Sequence, residues 1–419
     1  ALNSLGALVF ASNYRADLPP EETVRQARKV GEILARTYPA RQIFANERDP
    51  GRRLRVGFVS SDFNLHPVSF FLESVLKAID GREIELFAYS LSTVSDDMTG
   101  RLKAIFAQWR DAAQLAPPKF DQQIVEDGID ILIDLTGHTH SGIPAVFALK
   151  SAPVTVSWLG YSGTTGLPTM DYILADEIVA PASEARLFTE QIIRLPNSYL
   201  CYTPEPNAPA VSALPALENG HVTFGSFNNI NKVSDGTVAL WARLLAAVPA
   251  AQLALKGAVL RRPEAGDELA ARFAAHGIGR ERLKLLPYEP EMAGHLGAYA
   301  HVDIGLDPFP YNGTTTTCEA MLMGVPVLTL RGDRFIAHVG ESLLRSAGLA
   351  EWIADDEDQY VAKAVAFAAD LPRLARLRAQ LRAQLLASPL CDAPRFARDF
   401  EAAMREIWRR WCESAPPAP

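Results

Sequence analysis

Short, unbroken apolar runs recur in two series along the 419 residues, and this recurrence constrains the fold more than any other feature. The first series lies at 54–59, 84–89, 131–135, 154–159 and 172–175, the second at 222–227, 252–256, 283–286, 302–306 and 325–330. Runs of this length, without polar alternation, read as strands covered on both faces, and such strands belong to parallel sheets flanked by helices. Helical stretches such as 70–78, 121–126 and 235–247 fall between them. The pattern is alternating β and α, twice over. A single core seldom organises so long a chain, which also favours two lobes. Prolines and alanines crowd 204–220 without periodicity, so this stretch reads as a linker. The expected segments are a helical cap at 1–50, a first lobe at 51–203, the linker at 204–220, a second lobe at 221–371 and C-terminal helices at 372–419. In the cap, Val24, Ala27, Val30, Ile33 and Leu34 fall at helical spacing after Pro19 and Pro20.

Composition narrows the partners. Hydrophobic residues make up 48% and charged residues 21%, which is globular usage. A net charge of -8 argues against a broad basic face for nucleic acid or anionic membrane, so any phosphate ligand should be small and locally held. No apolar run approaches the roughly 18 residues of a membrane span, and the N-terminus lacks a signal pattern. Cys201, Cys318, Cys391 and Cys412 show neither CxxC pairing nor zinc spacing, as expected of a cytoplasmic, reducing location. The chain opens on Ala1 and not Met, so a trimmed chain or a fragment is expected, with a preceding region cut away or lying outside it.

Three segments carry the chemistry. The sharpest is 307–319, Asp-Pro-Phe-Pro-Tyr-Asn-Gly-Thr-Thr-Thr-Thr-Cys-Glu, which leaves a strand, turns, and enters a helical run at 318–323. A helix start offers free N–H groups and a positive dipole end, and threonine hydroxyls add donors, so Gly313 and Thr314 to Thr317 suit an anion. A cap alone would need one threonine and not four. Glu319, one turn further on, can accept hydrogen bonds from ribose hydroxyls. The second segment, 224–232, follows a strand with a polar turn ending in Lys232, which could reach a diphosphate as a point charge or simply be solvated. The third, 60–69, puts His66 at a helix entrance beyond a strand end, where it could be a general base, a donor or only a cap. His138 and His140 follow another strand in the same ambiguous way and lack a third ligand for a metal. No GxGxxG follows the first strand of either lobe, and GxxxxGK[ST], HExxH and GxSxG are absent, which disfavours dehydrogenases, NTPases, zinc proteases and serine hydrolases.

Together these segments resemble the catalytic region of the O-GlcNAc transferase and Spindly family. The likeness runs through residues 54–63 with His66 and Pro67, Ala152-Pro153-Val154, 158–166, Met170-Asp171-Tyr172, Phe227-Asn228 to Lys232, and Thr314 to Glu319, covering about 52–370. It implies an α/β GT-B fold of two Rossmann-like, doubly wound lobes with a cleft between them. A short helical segment, a remnant of tetratricopeptide repeats, precedes them and C-terminal helices follow. It implies a protein O-glycosyltransferase, inverting, metal-independent and without a cofactor, moving a sugar from a nucleotide sugar to Ser or Thr hydroxyls of acceptor proteins. In that resemblance Lys232 binds the diphosphate beside Asn229, Thr315 and Thr316 contact phosphate, and Glu319 is the ribose ligand. His295 lies on the base or ribose side, backbone around Leu286 and Pro287 grips the base, and His66 is the active-site histidine, as base or positioning group. Animal members read His-Thr-Thr where this chain has Thr314-Thr315-Thr316, and the threonine string with Ser226 to Asn229 is more similar to the Spindly branch. Plant members of that branch use GDP-fucose. UDP-GlcNAc is the expected donor and GDP-fucose the alternative. A non-catalytic binding module and a sugar-nucleotide epimerase are the remaining readings.

Overall fold

The computed structural model describes residues 2–139 and 145–414. The chain divides into two compact units. One takes the chain up to Ser12, Leu18–Thr203 and everything from Asp392; the other takes Asn13–Asp17 and Pro204–Cys391. Among the described residues no helix is long and apolar enough to cross a membrane.

The first unit is built on a parallel sheet of β1 (Leu54–Ser60), β2 (Ile84–Ser90), β3 (Gln108–Asp111), β4 (Ile131–Asp134), β5 (Val154–Ser157), β6 (Tyr172–Ala175) and β7 (Gln191–Arg194). The order across it is β3-β2-β1-β4-β5-β6-β7. β4, β5 and β6 are buried at every residue, which is why their sequences read as continuous apolar runs. β3 and β7 are edges, Gln-Trp-Arg-Asp and Gln-Ile-Ile-Arg, with partly exposed residues throughout. An edge strand has one neighbour and keeps polar residues, so an apolar-run criterion does not find it.

The second unit repeats the plan with β8 (Thr223–Ser226), β9 (Gln252–Leu255), β10 (Leu283–Leu285), β11 (Ile304–Leu306), β12 (Val327–Leu330) and β13 (Ile353–Ala354), in the order β10-β9-β8-β11-β12-β13. The chain crosses from one side of β8 to the other between β10 and β11. Parallel sheets gather ligands beyond the carboxyl ends of the strands at such a reversal. The segment 226–232 leaves β8 there and 307–314 leaves β11, so the topology brings two of the three sequence motifs to one place.

The C-terminal helices do not stand apart as one segment. The helix Leu371–Leu386 belongs to the second unit and the helix Ala393–Glu413 to the first. The latter buries Phe396, Phe400, Met404 and Ile407 at intervals of three and four. Phe400 stacks on Phe58 of β1, centroids 6.3 Å apart, and lies 5.4 Å from the Trp158 ring. The stretch read as a linker is held within the second unit: buried Arg378 donates to the Ser212 carbonyl at 2.9 Å and to the Val302 carbonyl at 2.7 Å.

The N-terminal helices are Leu2–Ser12 and Pro20–Thr37. The longer one meets the turn 164–167 backbone to backbone. A Cβ on Gly31 would lie 2.0 Å from the Gly166 carbonyl oxygen, and Gly166 itself has φ +69°. Glu190 fastens this turn, accepting from the Thr165 N–H and the Thr164 hydroxyl, each at 2.7 Å. Gly31→Ala is therefore expected to destabilise the first unit by about 1–3 kcal/mol, the usual cost of overpacking. A urea titration checks this, with Gly81→Ala, where a Cβ meets nothing within 4 Å, unfolding close to the unsubstituted chain.

Candidate functional site

The segment 307–313 is fixed before any ligand arrives. Asp307 is buried at the end of β11; its Oδ1 accepts from the Gly313 N–H at 2.5 Å and its Oδ2 from the Thr329 hydroxyl at 2.7 Å. Buried Asn312 donates to the Pro308 carbonyl at 3.0 Å and accepts from the Gly340 N–H at 3.1 Å. The Phe309 carbonyl accepts from Ser234 at 2.8 Å and Thr237 at 2.9 Å, which ties the segment to the start of the helix Asp235–Ala247. Loops that carry function are normally mobile; this one has its backbone groups committed from several sides.

Lys232 ends the 3-10 turn Ile230–Lys232 and points at that segment. Its Nζ donates to the Asn312 carbonyl at 2.8 Å and sits 4.0 Å from the centroid of the Tyr311 ring. Burial pushes the ammonium down to about 8, while the neighbouring Asp307 works in the opposite direction. Burial likewise pushes the Asp307 carboxyl up to about 7.

The helix after the segment is Thr315–Leu322, so it begins three residues before the apolar period suggested. Threonine is a poor helix former, which hides the first turn from a period-based reading. Thr315, Thr316 and Thr317 thus occupy the positions whose N–H groups have no partner inside the helix. Thr314 makes no side-chain cap bond to them. Thr316 instead donates its hydroxyl to Asn228 Oδ1 at 2.8 Å, and the Thr317 hydroxyl is buried without a partner. Gly313 faces both: a Cβ there would lie 2.6 Å from Thr316 Oγ1, 2.8 Å from Thr317 Oγ1 and 2.9 Å from Asn228 Oδ1. The site is an uncapped helix start with a close backbone approach and a buried, unused hydroxyl, next to a lysine.

A second group lies one turn along. Glu319 is buried and its Oε2 is 3.0 Å from His295 Nε2; His295 Nδ1 is 2.6 Å from Lys256 Nζ. Of the remaining residues expected here, Asn229 is exposed and its side chain accepts from the Asn231 N–H, capping its own turn. Leu286 is buried, with its N–H donating to the Leu255 carbonyl at 2.9 Å, so that amide is committed to β9.

In the first unit, His66 caps the helix Pro67–Ala78, its Nδ1 accepting from the Val68 N–H at a long 3.4 Å. Asp62 Oδ2 lies 3.8 Å from the same nitrogen. Burial lowers the imidazole's pKa and the Asp62 charge works against it. His138 is fully buried, donates from Nε2 to the Thr165 carbonyl at 2.7 Å, and is pushed down to about 4 by burial, so it is a neutral packing residue. His140 lies outside the described residues. Among the described residues no group of three or more His, Cys, Asp or Glu side chains could hold a metal.

The profile of glycosyl transferase family 41 matches residues 29–203 and 210–400. This chain belongs to that family. It is 39% identical over 418 residues to a probable UDP-N-acetylglucosamine–peptide N-acetylglucosaminyltransferase, SPINDLY, of Petunia hybrida, a match covering 98% of this chain and 44% of the relative. Identity to the probable enzyme of the same description, SEC, of Arabidopsis thaliana is 30%, over 87% of this chain and 38% of that one. The chain thus spans less than half the length of these curated relatives. A solved mutant of the O-GlcNAc transferase of Thermobaculum terrenum is 35% identical, with a TM-score of 0.93 over 98% of this chain and 78% of its own. The two Rossmann-like sheets are those of a GT-B fold, in an O-GlcNAc transferase and Spindly type member of family 41.

Sequence reasoning missed Asp307, Asn312, Asn228 and Lys256 as contributors. Asp307 and Asn312 lay inside the quoted motif, and their types, a carboxylate and an amide flanking prolines, were the available signal. For Asp307→Asn, the amide oxygen can keep the Gly313 N–H and the amide N–H can donate to the Thr329 oxygen, so two charge-assisted bonds are replaced by neutral ones and the charge opposite Lys232 is lost. The expected loss is about 1–3 kcal/mol, measured by urea unfolding of the second unit.

Proposed function

We propose that the second unit of this family 41 chain holds the diphosphate of a nucleotide sugar at Lys232 and the Thr315–Leu322 helix start. On this reading the chain is an inverting, metal-independent protein O-glycosyltransferase. The donor is UDP-GlcNAc, in keeping with the names that the relatives carry, and the acceptor is a Ser or Thr hydroxyl. The observation that carries the reading is the uncapped helix start, whose free N–H groups and unpartnered Thr317 hydroxyl adjoin the half-buried Lys232 ammonium.

The chemistry needs such a site. When the bond between the anomeric carbon and the diphosphate oxygen breaks, negative charge collects on the departing diphosphate. A lysine and a helix N-terminus, fixed in advance in a buried setting, stabilise that charge as it forms. Gly313 lets backbone approach the phosphate closely, and Glu319 offers acceptors for ribose hydroxyls. The acceptor hydroxyl must lose a proton as it attacks. His66 is the proposed recipient, because a proton gained by its imidazole is stabilised by the nearby Asp62 carboxylate.

Isothermal titration with UDP and GDP tests the binding half. Lys232→Ala is expected to weaken the preferred nucleotide about 10- to 100-fold, the worth of a charge-assisted hydrogen bond. No binding of either nucleotide by the unsubstituted chain overturns the reading. Binding has a predicted pH dependence: the Lys232 pKa is lowered to about 8, so affinity is full below that value and falls as the ammonium is lost above it. In Lys232→Ala the decline above pH 8 is expected to vanish. For the transfer half, intact-mass measurement of acceptor proteins with UDP-GlcNAc or GDP-fucose reads which sugar is added, and a fucosyl mass shift alone corrects the donor.

A further inference from the structure

Lys256 has no place in the diphosphate site, yet it is 3% exposed, just past the carboxyl end of β9. Burying an ammonium is costly unless its hydrogens find acceptors. Burial does lower its pKa, with Glu319 and Glu289 opposing. Its Nζ is 5.3 Å from the Phe227 ring centroid and 2.6 Å from His295 Nδ1. The ring of His295 is set edge-on to Tyr299, centroids 6.2 Å apart at 88°, and its far nitrogen meets the buried Glu319 carboxylate at 3.0 Å. A lysine recruited merely to neutralise Glu319 would sit on the carboxylate; here an imidazole is interposed.

That interposition has one chemical solution. An ammonium only donates and a carboxylate only accepts. The nitrogen facing Lys256 must therefore carry the lone pair, and the nitrogen facing Glu319 must carry the hydrogen. Both neighbours demand the same neutral imidazole, with Nδ1 bare and Nε2–H donating to Glu319. The Glu319 carboxylate is then held by a donor whose own orientation is fixed from behind.

We infer that Lys256 is a positioning residue that locks His295 in the Nε2–H tautomer and thereby orients Glu319 toward the ribose hydroxyls of the nucleotide. The ribose clause rests on the nucleotide reading above; the tautomer lock does not.

Long-range proton–nitrogen correlation spectra of the nitrogen-15-labelled, ligand-free chain at pH 8 read the tautomer, with His295 assigned by loss of its signals in His295→Gln. The unsubstituted chain is expected to show a bare Nδ1 and a protonated Nε2. Lys256→Met is expected to lose this single-tautomer pattern and Lys256→Arg, which restores a donor, to keep it; circular dichroism checks that each variant is folded. In titrations, UDP is expected to bind more tightly than 2′-deoxy-UDP, and Lys256→Met to shrink that preference about tenfold while Lys256→Arg retains it. A protonated Nδ1 in the unsubstituted chain, or an unchanged pattern in folded Lys256→Met, overturns the lock. A tautomer that behaves as stated, with no preference for the 2′-hydroxyl in the unsubstituted chain, overturns the ribose clause. If GDP binds and UDP does not, GDP and 2′-deoxy-GDP replace the uridine pair; absence of both UDP and GDP binding overturns the nucleotide reading, and the tautomer spectra alone then decide the lock.

Discussion

The Asp307 carboxylate is the contact on which the candidate site depends. It is buried, and the two donors it accepts, the Gly313 N–H and the Thr329 hydroxyl, come from the far end of its own segment and from the neighbouring strand β12. That pair of bonds closes residues 307–313 into a fixed turn. The turn presents the Asn312 carbonyl to Lys232 and launches the helix Thr315–Leu322 in a fixed direction. A helix start serves as an anion site only if it is aimed, and the aim here comes from a carboxylate that touches no phosphate in the proposed reaction. Asp307 is also the opposite charge near Lys232, so the group that shapes the turn also offsets part of the cost of burying the ammonium.

Behind that latch lies the sheet topology. β8 and β11 are neighbours although the strands β9 and β10 lie between them in sequence, and the crossing between them leaves their carboxyl ends side by side. Asn228, two residues past β8, can then accept from Thr316, one residue into the helix after β11. Fold and site are linked at this point: the parallel order supplies the adjacency, and short polar side chains convert the adjacency into a defined geometry.

The sheets were legible because most of their strands are covered on both faces, which leaves no polar alternation to confuse the pattern. β3, β7 and β13 were not, since two are polar edges and the third, Ile353–Ala354, is two residues long. The threonine string and Lys232 stood out through an excess of one residue type and through position after a strand. Asn229 stood out too, but the resemblance that placed it near the diphosphate does not register that its side chain is occupied by its own turn. Lys256 could not be read at all. A lysine at a strand end is ordinary, and its meaning comes from His295, 39 residues on, and Glu319, 24 further, which meet only once β9 and β11 flank β8. The division of the tail was hidden for a related reason: the helices Leu371–Leu386 and Ala393–Glu413 share a composition, and contacts such as Phe400 against Phe58 and Trp158 assign the second to the first unit.

On the proposed reading, a chain of net charge -8 would hold a diphosphate with local field and not with overall attraction. The means are visible in the second unit. Lys232 is half-buried, and burial lowers its pKa. A buried ammonium is poorly solvated, so an arriving anion replaces little water and meets the charge in a medium of lower effective dielectric, where the same separation gives a several-fold larger attraction than in bulk water. The cost of keeping such a charge without its partner is what lowers the pKa, and a bound diphosphate relieves it. A depressed lysine thus suits the anion of the proposed reading, which comes and goes, whereas a surface cluster of solvated lysines would hold the same anion weakly and compete with salt. The helix start adds partial charges that need no desolvation when the anion binds, because peptide dipoles are already fixed. A negative net charge and the proposed anion site are compatible, since the first acts over distances that salt screens and the second would act at contact.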